Sequence, residues 1–380
     1  MSEEGGPVRV LVVNAGSSSL KLRVLDGSDQ VTGSADLPAP GGAADAAAVE
    51  SALASLGDAD AAGHRIVHGG TSFTGPVKID DGVLARLRAL TSLAPLHQPK
   101  SLAAVAAVQR ARPSLPGVAC FDTAFHATIP AAAATYALPR EWRQRWALRR
   151  YGFHGLSHSY CSGRAAELAG AAGDAALRIV TCHLGAGASL AAVRGGVSVD
   201  TTMGFTPLEG LVMATRSGSV DPGLVLWLAE QAGTPPAELA ATLEHRSGLL
   251  GLAGTADMRE VVAGAAAGGP DARLALDVYI HRLRAGVAAM AAALGGLDVL
   301  AFTGGVGENS PAVRSAAAAG LGFLGVRLDA ARNATGAADG GGPDREIGQA
   351  GAPVRSFVIA AREDLEIAAQ ARAVLAAGGG

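Results

Sequence analysis

Two stretches half a chain apart share one grammar, and that repetition constrains the fold more than any other feature. In the first, Val8 to Asn14 is a nearly continuous apolar run, as in a buried strand. The loop Ala15-Gly16-Ser17-Ser18-Ser19 follows, then an alternating segment from Leu20 to Asp26, a turn at Gly27-Ser28-Asp29 and a third strand from Gln30 to Leu37. In the second, Arg178 to Cys182 is an apolar strand and Leu184-Gly185-Ala186-Gly187-Ala188 a small-residue loop. Ser189 to Val193 and Val197 to Thr201 then form a hairpin across Gly195-Gly196. A pattern used twice predicts two homologous α/β domains, each offering one small-residue loop between antiparallel strands. The length of 380 residues agrees, being too great for one ordinary core.

A third glycine loop, Phe302-Thr303-Gly304-Gly305-Val306-Gly307-Glu308-Asn309, follows a strand from Leu297 to Phe302. A helix is expected from Ser310-Pro311, with Ser as N-cap and Pro in the first turn. Further helices are expected at 100–112, 157–172, 222–232, 235–245, 271–294 and 364–377. Pro38 to Asp45, Gly264 to Pro270 and Ala334 to Gly342 read as loops.

Net charge is -3, which gives no electrostatic reason to expect nucleic acid or an anionic membrane as partner. The 3 cysteines, Cys120, Cys161 and Cys182, have neither metal-knuckle nor redox spacing, so a reducing cytosol is expected. The acidic start Met1-Ser2-Glu3-Glu4 does not read as a signal peptide, and no apolar run is long enough for a transmembrane span.

Small side chains let backbone N–H groups approach phosphate oxygens, so three such loops point to phosphate handling. No Walker A sequence or GxGxxG after a strand is present, which disfavours the P-loop and Rossmann readings. Lys21 follows the first loop and reads either as electrostatic support for phosphate or as a solvent-facing strand lysine. Arg65, in Gly63-His64-Arg65-Ile66-Val67-His68-Gly69-Gly70, and Arg216, in Met213-Ala214-Thr215-Arg216-Ser217-Gly218, sit in glycine-flanked segments. There a guanidinium can grip a carboxylate or phosphate with two parallel bonds. Asp122 ends an apolar strand and reads as a loop cap, a Mg²⁺ ligand or a residue that orients an arginine. His154 and His158 are four apart, but no third zinc ligand accompanies them, and Gly155 argues against a continuous helix there. A histidine contacting a phosphoryl group fits better.

These residues resemble the acetate kinase family over nearly the whole chain. Val12-Val13-Asn14-Ala15-Gly16-Ser17-Ser18-Ser19-Leu20-Lys21 is similar to its first signature. Thr202-Met203-Gly204-Phe205-Thr206-Pro207-Leu208-Glu209-Gly210 is similar to its second. Blocks around Arg65, Leu93 to Pro99, Asp122, His154, Gly305 and Glu363 match in order. The resemblance implies duplicated actin-like ATPase (ribonuclease H-like) domains with ATP in the interdomain cleft. It places one domain at 1–126 plus 365–380 and the other at 127–364. It also implies Mg²⁺, with Mn²⁺ as a substitute, and a homodimer.

By the same resemblance, Asn14, Ser17, Ser19 and Lys21 form the first phosphate segment. His183, Leu184, Gly185, Ala186 and Gly187 form the second. Gly305, Val306, Gly307 and Asn309, with Asp257, Met258 and Arg259, match the nucleotide-binding set. Arg65 and Arg216 match the arginines that hold the carboxylate and the transferring phosphoryl group. His154 matches the histidine that stabilises the transition state, and His97 a further active-site histidine. Asn14, Asp122 and Glu363 match the Mg²⁺-linked residues. Val67, Leu96, Phe153 and Pro207 match the pocket for the acetate methyl. Four positions depart from the family: Ala186 and Gln98 stand where Asn is usual, Ser219 where Asp is usual, and Arg362 where a polar or acidic residue is usual. The implied activity is phosphoryl transfer between ATP and acetate. The rivals are a propionate or butyrate kinase and a weakly active nucleotide-binding sensor of the same superfamily.

Overall fold

The computed structural model of the chain describes residues 8–16, 19–39, 46–95, 97–336 and 342–377. The chain divides into two compact units. One comprises the chain up to Ala127, Gly155–Tyr160 and the segment from Arg362 onward; the other comprises Thr128–His154 and Cys161–Ala361.

Among the described residues, the first unit holds a six-stranded sheet. Its strands are β1 (Val10–Ala15), β2 (Ser19–Leu25), β3 (Val31–Pro38), β4 (Ala61–Ile66), β5 (Val77–Lys78) and β6 (Gly117–Phe121). Their spatial order is β3-β2-β1-β4-β6-β5. The second unit holds β7 (Arg178–Leu184), β8 (Ala188–Arg194), β9 (Val197–Thr201), β10 (Val299–Thr303), β11 (Arg345–Glu346) and β12 (Arg355–Val358), in the order β9-β8-β7-β10-β12-β11. The two orders are the same when counted within each unit. The strand directions match as well: an antiparallel meander, two parallel additions and an antiparallel edge. This is the ribonuclease H-like sheet of actin-like ATPases, present twice, and it bears out the duplication read from the sequence.

The continuous apolar run of β1 has a direct cause. Leu11 and Val13 face a core completed by Leu22, Leu53 and Val108, which the helices Ala46–Ser55 and Gln98–Ala111 help to cover. Val10 and Val12 face the opposite side, against Ile367 and Ala371 of the helix Glu363–Ala377. A strand buried on both faces has no polar alternation to show. In the second unit the long helix Pro270–Leu294 packs on β7, β8 and β9.

The expected helix at Ser310-Pro311 is present as Pro311–Ala319, with Ser310 Oγ accepting from the Val313 amide. Two expectations need correction. The third glycine segment is a short helix, Gly304–Asn309, because only its first residue needs the left-handed region (Gly304 φ +78°). The loop expected from Gly264 is helical to Ala266, since Asp257 caps a helix Met258–Ala266 that composition hides. The helix expected from 157 begins at Gly155, and His154 stands just outside it at the N-cap, so no continuous helix carries both histidines. Residues 40–45 and 337–341, within two expected loops, lie outside the described residues.

Candidate active site

In the first unit the parallel register of β1 on β4 pairs Val13 with His64, so the next residues, Asn14 and Arg65, emerge side by side. β6 lies on the far side of β4 and delivers Asp122 just past its end. The Arg65 guanidinium grips Asp122 through Nε at 2.9 Å to Oδ1 and a terminal nitrogen at 2.6 Å to Oδ2. Its other terminal nitrogen donates to Asn14 Oδ1 at 3.1 Å. Asn14 Nδ2 donates in turn to Glu363 Oε2 at 2.8 Å, which lies 3.8 Å from Arg65. The side chains of Arg65, Asp122 and Glu363 are only 14%, 2% and 16% exposed, so the network is largely dry.

Burial disfavours charge on Arg65, but Asp122 and Glu363 outweigh it and hold its pKa above the ordinary arginine value. Burial likewise pushes the Asp122 carboxyl up, and Arg65 pulls it back. The two-bond grip requires the ionised carboxylate. Lys21 stands opposite Asn14 in the antiparallel β1–β2 register and is exposed. Ser19 closes the β1–β2 turn by accepting the Gly16 amide at 2.8 Å. His97 is the N-cap residue of Gln98–Ala111 and makes no side-chain cap bond. Val67 follows β4 and is buried. Ser17 and Leu96 lie outside the described residues.

In the second unit the β7–β8 register sets His183 opposite Ser189, on one face of the hairpin. His154 reaches both: its ring stacks on His183 at 4.3 Å and its Nδ1 lies 2.9 Å from Ser189 Oγ. His154 has φ +56°, a left-handed conformation unusual for a side-chain-bearing residue. The β7–β8 turn runs through Gly185, Ala186 and Gly187, and Ala186 is exposed at its tip. A Cβ at Gly187 would lie 3.2 Å from the His154 ring and 3.5 Å from an Arg216 terminal nitrogen, so the turn, His154 and Arg216 meet at one point. Arg216 Nε pairs with Glu244 Oε1 at 2.7 Å, and both side chains are largely buried. Phe153 is fully buried, and the Pro207 carbonyl accepts from Arg216 at 3.4 Å.

Gly305 points a would-be Cβ into open space, and Asn309 Nδ2 donates back to the Gly305 carbonyl at 2.9 Å. Val306 and Gly307 lie in the same short helix. Asp257 and Arg259 are bound to each other at 2.5 Å, and Arg259 is 90% exposed. Met258, between them, is buried.

Sequence reasoning missed Glu244 and Arg314. Glu244 lies on the helix Pro236–His245, distant in sequence from Arg216. Arg314 is fully buried and donates to the Gly307 and Glu308 carbonyls, both at 2.8 Å, and to Asn333. A lone arginine in an alanine-rich helix gives no sign of such a role. The departures also have visible partners. Gln98 exchanges hydrogen bonds with the His68 backbone, and Ser219 Oγ accepts from the Gly210 amide. Arg362 pairs with Asp364 at 2.9 Å.

A family model described as the acetokinase family matches residues 42–369. The chain belongs to the acetokinase family. An acetate kinase of Deinococcus deserti is 47% identical, covering 97% of this chain and 98% of its own. An acetate kinase of Leifsonia xyli is 45% identical, covering 97% and 99%. Among solved structures, the acetate kinase of Porphyromonas gingivalis aligns with a TM-score of 0.87 at 37% identity, covering 97% of this chain and all of that one. A propionate kinase of Francisella tularensis aligns with a TM-score of 0.86 at 34% identity over the same shares.

Proposed function

We infer that this chain is an acetate kinase, transferring the γ-phosphoryl group of ATP reversibly to acetate to give acetyl phosphate and ADP. The observation that carries the reading is 47% identity to an acetate kinase over 97% of the chain. The site chemistry supports it. An acetate oxygen attacks the γ-phosphorus, the bond to the bridging oxygen breaks, and ADP leaves with that electron pair. Acetate is already ionised at neutral pH, so no general base is needed. The reaction asks for positioning and for charge where the transition state spreads it. Arg65 and Arg216 supply that charge to the carboxylate and the equatorial phosphoryl oxygens, and His154 donates to the same oxygens. Val67, Leu96, Phe153 and Pro207 take the methyl group. The turn residues Gly185 to Gly187 and the helix Gly304–Asn309 bind the nucleotide.

Glu363 and Asn14 would hold Mg²⁺, while Asp122, whose oxygens both accept from Arg65, would act through water or by orienting that arginine. Among the described residues no group of three His, Cys, Asp or Glu forms a metal cage. An Mg²⁺ ion held by Glu363 and Asn14 would supply positive charge against the nucleotide phosphates.

Propionate is the second candidate acceptor, because one relative of similar fold is a propionate kinase. The enzyme works as a homodimer in the reducing cytosol, where Cys120, Cys161 and Cys182 stay as buried thiols. A coupled assay of ADP formation with acetate, propionate and butyrate tests the reading. ADP formation that depends on acetate, with propionate weaker, is expected. A preference for butyrate, or no acceptor-dependent turnover, overturns it.

A further inference from the structure

We propose that Glu209, braced by Arg150 and Tyr136, is a positioning residue that sets the affinity for acetate by holding Pro207 against Arg216. The proposal rests on the acetate kinase reading above. Residues 202–210 follow β9 without entering another strand or helix, so no ladder runs along them, and backbone bonds hold them at Thr202, Gly204 and Gly210. Side chains tie the stretch between these points. Arg150 donates through one terminal nitrogen to the Thr202 and Met203 carbonyls, at 3.1 and 3.0 Å, and through the other to Glu209 Oε1 at 2.7 Å. The Tyr136 hydroxyl donates to Glu209 Oε2 at 2.5 Å and accepts the Phe205 amide at 2.9 Å. The two ends of the segment are thus closed upon one carboxylate, with Pro207 between them.

Both Glu209 oxygens are engaged, which suits a brace and leaves little for acid–base work. Burial, reinforced by Glu209, pushes the Tyr136 hydroxyl above its ordinary value, so it remains a donor. Gly204 shows how closely the brace fits. A Cβ there would lie 1.7 Å from Glu209 Oε2 and 2.2 Å from the Tyr136 oxygen. Beyond the brace, Arg216 is held from two sides, by Glu244 at 2.7 Å and by the Pro207 carbonyl at 3.4 Å. Loosening the segment therefore moves an apolar wall and one of the contacts that aim a guanidinium. The nucleotide segments at Gly185 to Gly187 and Gly304–Asn309 make none of these brace contacts.

The test compares Tyr136→Phe, Gly204→Ala and Glu209→Gln with wild type in the coupled assay, with Tm measured alongside. KM for acetate should rise about 10-fold in Tyr136→Phe and Gly204→Ala, with KM for ATP held within about 2-fold. Glu209→Gln keeps a hydrogen-bonding side chain of the same shape and should shift less. The acetate to propionate ratio in kcat/KM should fall in the same order. A lowered Tm with both KM values unmoved makes the cluster merely structural and overturns the proposal, as does a parallel rise in KM for ATP. Loss of kcat in Glu209→Gln at unchanged KM assigns acid–base work instead and also overturns it. Should Gly204→Ala fail to fold, Tyr136→Phe removes a single oxygen and still gives the answer. An active wild type with unmoved variants sinks the brace alone, whereas an inactive wild type sinks the assigned reaction.

Discussion

At the scale of single residues, His154 combines backbone strain with chemistry. A side-chain-bearing residue in the left-handed region costs roughly 1–2 kcal/mol and persists where its surroundings fix it. Here the stack on His183 and the contact to Ser189 fix it. Asparagine tolerates the same conformation but cannot reproduce the imidazole. His154→Asn should therefore leave Tm within a few degrees while kcat falls about 10²–10³-fold, the usual cost of losing one transition-state donor. Thermal unfolding and steady-state kinetics on one preparation check this. A near-normal kcat removes His154 from the phosphoryl site. Ala186 illustrates a different lesson. It sits at the exposed tip of the β7–β8 turn, where its methyl group offers no hydrogen bond and the turn has only backbone groups to present.

At the scale of elements, the sequence disclosed the duplicated strand–loop–strand units because their apolar runs and glycine turns are local signals. Register was out of reach, and register builds the site. Position 14 of β1 and position 183 of β7 are equivalent in the two hairpins, yet one is Asn and the other His. The neighbours across the parallel strand differ more. Arg65 stands beside Asn14, whereas Gly304 follows the Thr303 that pairs with His183. One unit thus places a charge where the other places a buried threonine, and the residue after that threonine, Gly304, turns left-handed into a helix. Arg65, Asp122 and Glu363 were recognisable by family motif, but their mutual grip needed the β4–β6 register and the helix from Glu363. Glu244 and Arg314 were silent for the same reason.

β4 also carries His64, whose burial lowers its pKa to about 4, and His68 just beyond the strand is lowered to about 4 by the same cause. In the unfolded chain both would titrate near 6.5. Between those values the unfolded state binds protons that the folded state refuses. Stability is then complete above about pH 6.5 and is lost as pH falls toward 4, by up to roughly 3 kcal/mol per histidine. Tm measured from pH 7.5 down to 4 should drop more steeply in wild type than in His64→Phe. Parallel curves would show that His64 does not titrate on unfolding.

For the whole molecule, the helix Pro222–Glu230 is where the proposed homodimer can be tested. Its sequence, Pro-Gly-Leu-Val-Leu-Trp-Leu-Ala-Glu, is apolar on every side, the pattern of a helix enclosed in a core. Yet none of its residues is buried within the chain, and Leu224, Leu226 and Trp227 are 48%, 59% and 56% exposed. Trp142 and Trp146 are also exposed, but they stand among arginines on the helix Arg140–Trp146, whereas Leu224, Leu226 and Trp227 share one apolar helix. Covering such surface contributes about 25 cal/mol per Å², and contiguous apolar patches mark interfaces. A second copy of this chain is the partner that every preparation supplies, and pairing about a two-fold axis lets one helix cover its own counterpart. Light scattering behind gel filtration should give twice the chain mass of 37.7 kDa for wild type. Trp227→Glu places a charge at the contact and should shift the mass toward that of one chain. Tm should rise with protein concentration in wild type and be flat in the variant, because association stabilises by mass action. A wild type that runs as one chain at micromolar concentration, with a concentration-independent Tm, would rule out this helix as a self-association surface.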